Sequence, residues 1–323
     1  MSELHVVLGA GGNIGTAVVH ELVDRGKSVR GVSRSGRAEL PGSVQQVAAD
    51  AMDRESLAKA LNGAAVVYHC IGVPYQQWTR TLPVVMTNLI EAAAARGPRT
   101  RVVYADNLYC YGRKGALRGP LREDTPHLAT GKKGGLRAEL IRQLLQAHRE
   151  GRVRATIGQG SDFFGPGGDN SILDFFLFKP LLEGRPVSIL ADLDRRHSFI
   201  YLPDFARALV ALAGEDRAFG QAWILPHMEV LTYRELLELA FREAGVDPKG
   251  MIRTMPQGVL TVGSLLSSMI REVREVAYQS QVDWVADWSR YRDVFGGQPT
   301  PIEQALHETL AWYRQQSDAE KTP

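Results

Sequence analysis

Short apolar runs alternate with amphipathic stretches through the first half of this chain. Residues 4–8, 28–33, 44–49, 65–71, 100–105 and 153–158 are brief segments rich in Val, Ile or Ala, as strands are. Between them, 14–25, 53–61, 79–96 and 131–149 repeat apolar side chains at helical spacing, as in Ile14, Val18, Val19 and Leu22. This alternation predicts βαβ units and an α/β fold: a doubly wound parallel sheet with helices on both faces. After about residue 160 the pattern loosens. Gly165-Pro166-Gly167-Gly168 reads as a sharp loop, followed by an apolar segment over 171–182. Thr232 is placed to cap a helix that runs to Ala244, with Gly245 as its stop. A helical stretch over 257–278 and a last helix over 302–315 follow, and the polar tail Gln316–Pro323 is expected to fray.

The junction between the first strand and the first helix carries the chemistry. Gly9, Gly12 and Gly15 space a G-x-x-G-x-x-G turn directly behind Leu4–Leu8. A glycine-rich strand-to-helix turn lets backbone approach a pyrophosphate, and the following helix aims unpaired N–H groups and its positive end at it. Asn13 and Ile14 open that helix. The commoner G-x-G-x-x-G spacing fails, because Ile14 stands where its last glycine would be. The expectation is therefore a Rossmann-like dinucleotide core over 1–160, with later returns near 186–225. A smaller α-rich C-terminal substrate lobe fills most of 161–323, with the substrate cleft between them.

The strand over 28–33 ends in Ser33 and Arg34, with Arg37 close behind and no acid at its tip. An NAD site usually places a carboxylate there for the ribose hydroxyls, whereas guanidinium groups pair with a 2′-phosphate. NADP(H) is therefore favoured over NAD(H), the alternative being that Arg34 and Arg37 are solvated loop charges. Asp50-Ala51 follows the third strand, where the acid either reaches the adenine amino group or caps the next helix. Cys70-Ile71-Gly72 ends the fourth strand at the edge where open α/β sheets bind ligands. Gly72 would let the chain pass beside the nicotinamide-side ribose, and Cys70 reads as a small buried apolar residue.

Composition narrows the function classes. The chain has 323 residues, 44% hydrophobic and 23% charged, with a net charge of +2, as an ordinary globular protein does. That charge gives no reason to expect nucleic acid or an anionic membrane as partner. Two cysteines are too few for a disulfide framework and lack metal spacing. No signal-type segment or membrane-length apolar run is present, so a cytoplasmic location is expected. No zinc spacing, Walker motif or Ser-His-Asp order appears.

With these residues placed, the chain resembles the extended short-chain dehydrogenase/reductase superfamily, the NAD(P)-dependent epimerase/dehydratase family. The resemblance rests on the glycine turn, Asp50-Ala51, Tyr111-Gly112, Phe164-Gly165-Pro166-Gly167, Phe199 to Asp204, and the ending Pro299-Thr300-Pro301 to Trp312-Tyr313. It implies a Tyr-x-x-x-Lys pair on a helix and a Ser or Thr after the fifth strand. The Tyr moves a proton at the substrate oxygen, the Lys lowers its pKa and holds the ribose, and hydride passes to or from the nicotinamide ring. This chain departs from that pattern. Asn107 stands at the Ser/Thr position, and no tyrosine occurs between Gly112 and Ile200. Alignment on Glu139 puts Gly131 and Gly135 at the Tyr and Lys places, and a shift of two puts Lys133 at the lysine. The resemblance thus implies an atypical branch with a remodelled site.

If the segment after the fifth strand stays extended, Asn107, Tyr109 and Tyr111 share a face. Asn107 would then orient substrate, and Tyr109 would donate the proton with help from Lys132 or Lys133. The plainer alternative is that the tyrosines pack and the lysines are solvated. Pro74-Tyr75 and Trp78 should overhang the nicotinamide. By alignment Asp162 stands at a family Asn, beside Phe163 and Phe164. His197 stands where many nucleotide-sugar enzymes of the family place a phosphate-binding Arg, a loss that Arg195 or Arg196 could offset. Tyr75, Trp78, Phe163 and Phe164 suggest an aromatic or apolar small-molecule substrate, or a packed lobe interface. The expected activity is an oxidoreductase or epimerase on a small carbonyl or hydroxyl compound. Its rivals are a non-catalytic NADP(H) or ligand sensor, and a lyase or isomerase with Asp106 or Asp162 as base. Val84, Val85, Leu89, Leu140 and Leu144 fit either a homodimer contact or burial in the monomer.

Overall fold

A computed structural model describes residues 3–112, 119–129, 131–168, 171–254, 272 and 274–321. The first half is a βα alternation: β1 (Leu4–Leu8), α1 (Asn13–Asp24), β2 (Ser28–Ser33), β3 (Gln45–Ala48), α2 (Arg54–Ala60), β4 (Ala64–His69), α3 (Trp78–Ala94), β5 (Arg101–Asn107), α4 (Lys132–Arg149) and β6 (Arg154–Gly160). Then come β7 (Asp162–Phe164), α5 (Lys179–Leu182), β8 (Val187–Ile189), β9 (Arg196–His197), β10 (Phe199–Tyr201), α6 (Leu202–Gly214), β11 (Ala222–Ile224), β12 (Leu231–Thr232), α7 (Tyr233–Ala244) and β13 (Ile252–Thr254). Helices Ser289–Phe295 and Ile302–Lys321 close the chain.

Seven strands form one sheet in the order β11-β6-β5-β4-β1-β2-β3, and every pairing in it is parallel. Strand order reverses between β1 and β4, which opens a crevice at their carboxyl ends. Burial of apolar side chains on both faces makes this sheet the spine of the molecule. Leu57, Leu82, Met86, Leu89, Leu140 and Leu144 cover one face, and Val18, Val19, Leu22, Phe205, Leu209 and Leu212 cover the other. Both α6 and β11 come from the second half and return to the core. A third cluster, built around Phe164, Phe178, Phe199, Tyr201, Leu236, Phe241 and Leu306, lies beyond the sheet.

Local signals set the second-half helices as well. The Thr232 side chain accepts the Glu235 N–H while Glu235 reaches back to the Thr232 backbone, and Gly245 ends α7 at φ 73°. Three expectations change. Asp53, not Asp50, caps α2, accepting from the N–H groups of Glu55 and Ser56. The last helix runs through Gln316 to Lys321, past the point where the polar tail is expected to fray. Val85, Leu89, Leu140 and Leu144 are buried within the chain, so monomer packing accounts for them, and Val84 alone of that set is exposed. Most of the helix expected over 257–278 lies outside the described residues; Ala277–Gln281 is a 3₁₀ turn. No helix among the described residues is long and apolar enough to cross a membrane.

Candidate active site

The glycine turn sits at the crevice. Gly9 has φ 79°, and a Cβ there would lie 2.9 Å from both the Cys70 carbonyl oxygen and Ile71 Cα. A Cβ on Gly15 would overlap the Gly9 carbonyl. Both glycines are thus required to bring α1 against the ends of β1 and β4. Gly12 is less constrained, since its Cβ would meet only Gly9 oxygen at 3.4 Å. Gly12 precedes α1 as its N-cap and offers no capping side chain, and the first turn of the helix holds no acid. Such an end fits a pyrophosphate, whose charge would take the place of a cap. Asn13 is the first residue of α1, and Ile14 is partly buried on the α1 side of the sheet.

At the tip of β2, Ser33 Oγ accepts the Gly36 N–H at 3.1 Å and shapes the following loop. Arg34 and Arg37 are exposed on that loop, and neither guanidinium has an ion-pair partner among the described residues. Asp50 Oδ1 accepts the Met52 N–H at 2.9 Å, and the Ala51 carbonyl accepts from Asn88. Cys70 is buried, which pushes its thiol pKa far up and makes it inert. A Cβ on Gly72 would meet nothing within 4 Å, so open space adjoins the chain there. Together the glycine cradle and the uncapped helix fit a dinucleotide.

The substrate end is built differently. The segment after β5 does not stay extended. The Tyr111 N–H donates to the Leu108 carbonyl, and Asn107 Oδ1 accepts the Tyr109 N–H at 3.1 Å. This turn separates the two tyrosines. Tyr111 is buried and donates to Gln159 Oε1 at 2.6 Å, so it acts as a core residue. Tyr109 goes the other way. Its hydroxyl lies 2.9 Å from the Tyr75 hydroxyl, and its ring stacks on Trp78.

Helix α4 turns two basic side chains inward, four residues apart: Lys133 and Arg137. Arg137 lies over the Trp78 ring, 4.2 Å from its centroid, and donates to Asp106 Oδ1 at 3.1 Å and to Tyr104. Burial still pushes the Asp106 carboxyl above its ordinary range. Lys133 Nζ is held by Glu272 and by Glu275 Oε2 at 2.9 Å. Glu275 Oε1 also accepts the Lys133 backbone N–H at 2.7 Å, so its carboxylate occupies the start of α4. Lys133 Nζ stands 5.1 Å from the Tyr75 ring, but the cation nearest in role to Tyr109 is already neutralised. Burial drives the Tyr109 phenol well above its ordinary pKa, with Tyr75 and Asp162 adding to the rise. Lys132 is exposed. Gly131 faces Glu275, and Gly135 lies in open surroundings.

A cavity of about 40 Å³ opens beside Tyr109. Ile172, Leu173, Phe176, Ile189, Leu190, Val276 and Ala277 form its apolar walls. Its polar rim is Tyr109, Asp162, Tyr233, Gln279 and Ser280. Asp162 Oδ2 accepts from the Tyr233 hydroxyl at 3.0 Å and lies 3.0 Å from His197 Nε2. Burial alone would raise the Asp162 pKa, but His197 and Tyr233 outweigh it and keep the carboxyl below its usual range. His197 is therefore a buried prop for Asp162. Phe163 packs edge-on against Phe205 and does not line the cavity. Arg195 pairs with Asp192 and Arg196 with Asp283, both on the exposed surface.

Arg137, Tyr233, Glu272 and Glu275 escape a reading of motifs. The i, i+4 spacing of Lys133 and Arg137 on one helix face is the only local signal among them; the glutamates and Tyr233 arrive from distant segments.

A sequence profile described as "NAD dependent epimerase/dehydratase family" matches residues 5–223. Over 217 residues the chain is 28% identical to 3beta-hydroxysteroid-dehydrogenase/decarboxylase isoform 2 of Arabidopsis thaliana, a match covering 61% of this chain and 37% of that protein. It is 36% identical over 118 residues to cinnamoyl-CoA reductase 1 of Oryza sativa subsp. japonica, covering 32% of this chain and 34% of that protein. These matches span only about a third of either relative. Among solved structures, UDP-glucose 4-epimerase from Thermotoga maritima superposes with a TM-score of 0.80 at 16% identity, over 97% of this chain and 99% of that one. The dTDP-glucose 4,6-dehydratase from Bacillus anthracis gives 0.79 at 15% identity, over 98% of both. These likenesses are of fold. The chain belongs to the NAD dependent epimerase/dehydratase family.

Proposed function

We propose that the chain is an NADP(H)-dependent oxidoreductase or epimerase acting on a small carbonyl or hydroxyl compound. The observation that carries the cofactor choice is the tip of β2, where Arg34 and Arg37 stand exposed without an ion-pair partner among the described residues, and no acid ends the strand. Two unpaired guanidinium groups favour a ribose 2′-phosphate, and Ser33 offers it a hydroxyl. Gly9, Gly12 and Gly15, with Asn13 and Ile14 at the start of α1, would hold the pyrophosphate. Asp50, Ala51, Cys70, Ile71 and Gly72 would line the rest of the path. The bound dinucleotide supplies hydride acceptance or donation. Against it, the Asn107 carboxamide would orient the substrate oxygen. Tyr109 would hold the exchanging proton and share it with Tyr75 through their 2.9 Å contact. The Asp106–Arg137 pair beneath keeps Trp78 in place.

A second reading is favoured by two features: Lys133 is tied to two glutamates, and ionisation of the Tyr109 phenol is strongly suppressed, as a binding protein without turnover would tolerate. The enzyme reading expects NADPH consumption with some member of a carbonyl panel, and its loss in Tyr109→Phe. Tight NADPH binding without turnover across that panel would favour the sensor. For the cofactor, Ser33→Asp combined with Arg34→Ala should weaken NADPH at least tenfold more than NADH in calorimetric titration. Equal effects on the two would remove the assignment.

A further inference from the structure

Two phenols meet at the substrate end and share one hydrogen bond: the Tyr75 and Tyr109 hydroxyls lie 2.9 Å apart. A phenol has a single proton to donate, so one hydroxyl of such a pair gives its proton to the other and the second O–H stays available. The surroundings of the two differ. Tyr109 is fixed in place, its N–H donating to Asn107 Oδ1 and its ring stacked on Trp78. Tyr75 opens a 3₁₀ turn just beyond Gly72, where the space beside the chain is open. The Trp78 indole N–H donates to the Val73 carbonyl at 2.8 Å and braces that turn. Lys133 Nζ stands 5.1 Å from the Tyr75 ring, but Glu272 and Glu275 match its charge. Arg137, over the Trp78 ring, is paired with Asp106. Asp162 opposes ionisation of both phenols. The Tyr109 hydroxyl is therefore the group within hydrogen-bond reach that can steady a phenolate at Tyr75. Burial pushes both phenols up, but the Tyr109 hydrogen bond draws Tyr75 back down while Tyr75 pushes Tyr109 higher.

We propose that Tyr75 is the catalytic acid of this site and Tyr109 its positioning residue: the Tyr109 O–H donates to the Tyr75 oxygen, and the Tyr75 O–H faces the substrate. The inference rests on the proposed function for the reaction, but its first readout needs no turnover. With hydride supplied to the carbonyl carbon by NADPH, the Tyr75 O–H bond breaks and its proton goes to the carbonyl oxygen. The phenolate left behind accepts from Tyr109 and recovers a proton from water once the product leaves. The proton source then lies on the turn after β4 and not on α4.

Trifluorotyrosine, a more acidic phenol, tests this when placed singly in the full chain instead of Tyr75 or of Tyr109, with ionisation read from the phenolate absorbance. The label at Tyr75 should ionise about one pH unit or more below the label at Tyr109. Tyr109→Phe should raise the value at Tyr75 by about half a unit or more, which a merely packed ring would not do. The cationic ring of bound NADP⁺ should lower the value at Tyr75 by more than that at Tyr109. An equal or reversed order, no ionisation at Tyr75 before unfolding, a value there unmoved by Tyr109→Phe, or an NADP⁺ effect as large at Tyr109 would each overturn the proposal. If Tyr109→Phe fails to fold, the order of the two labels decides. Where turnover is found, Tyr75→Phe should lower kcat about 100-fold or more with KM changed far less, and a retained kcat would also overturn it. Absent NADP⁺ binding or turnover would instead strike the proposed function and leave the order of the labels readable.

Discussion

Helices α1 and α4 both begin at the carboxyl edge of the same sheet, and both begin on a glycine without a capping side chain. At α1 the end is left open, with no acid in the first turn and, on the adjoining loop, two exposed guanidinium groups without an ion-pair partner among the described residues. At α4 the chain fills the end itself: Glu275 accepts the Lys133 N–H, and Lys133 is neutralised by Glu272 and Glu275. One helix start keeps its electrostatic demand available for a ligand, while the other satisfies it internally. The lesson is that a helix N-terminus becomes a binding site only when the rest of the fold withholds an anion from it.

The sharpest break of that comparison is in the closed region. Arg137→Met leaves Asp106 buried beside an apolar side chain and should cost about 3–5 kcal/mol in denaturant unfolding. Adding Asp106→Leu should recover most of that loss; no recovery would mean the pair is not what couples α4 to β5. In the open region the constraint is steric. Gly15→Ala drives a Cβ into the Gly9 carbonyl and should cost about 1–3 kcal/mol along with dinucleotide binding. Gly72→Ala meets open space, so its stability should change by less than about 0.5 kcal/mol. Similar losses in both variants would dissolve the cradle argument.

A smaller effect separates the regions by pH. His69 is buried on Tyr104 near Arg137, and burial with that charge lowers its pKa to about 3. Between that value and the ordinary 6.5 the unfolded chain binds a proton that the folded chain refuses. Its contribution is therefore present above pH 6.5 and is lost as pH falls, by up to about 1.4 kcal/mol per pH unit. His69→Gln should flatten the decline in stability from pH 7 to 5.5 by about 1 kcal/mol. An unchanged slope would show that His69 takes a proton without unfolding.

How much of this could be read in advance differs between the two helix starts. The G-x-x-G-x-x-G turn, the acid-free tip of β2 and the alternation of strands with helices are local patterns, and the structure places them together at the β1/β4 crevice. The capped α7 from Thr232 to Gly245 is equally local. Absence is local too: no tyrosine lies between Gly112 and Ile200, so no fold could restore the Tyr-x-x-x-Lys pair on α4. In the closed region local rules run out. An extended strand end would have aligned Tyr109 with Tyr111, but the Asn107 side chain turned the backbone and sent them apart.

The sequence alone thus determined the periodicities, the turn and the cap, because these depend on φ/ψ preferences and on side chains a few residues apart. Only the tertiary structure decided that Glu275 reaches Lys133 across 142 positions, that His197 and Tyr233 converge on Asp162, and that Arg137 slides beneath Trp78. Those outcomes depend on which distant charges the packed core brings within reach and removes from water together. Electrostatic pairing acts through space, and the order of residues along the chain does not encode that distance directly.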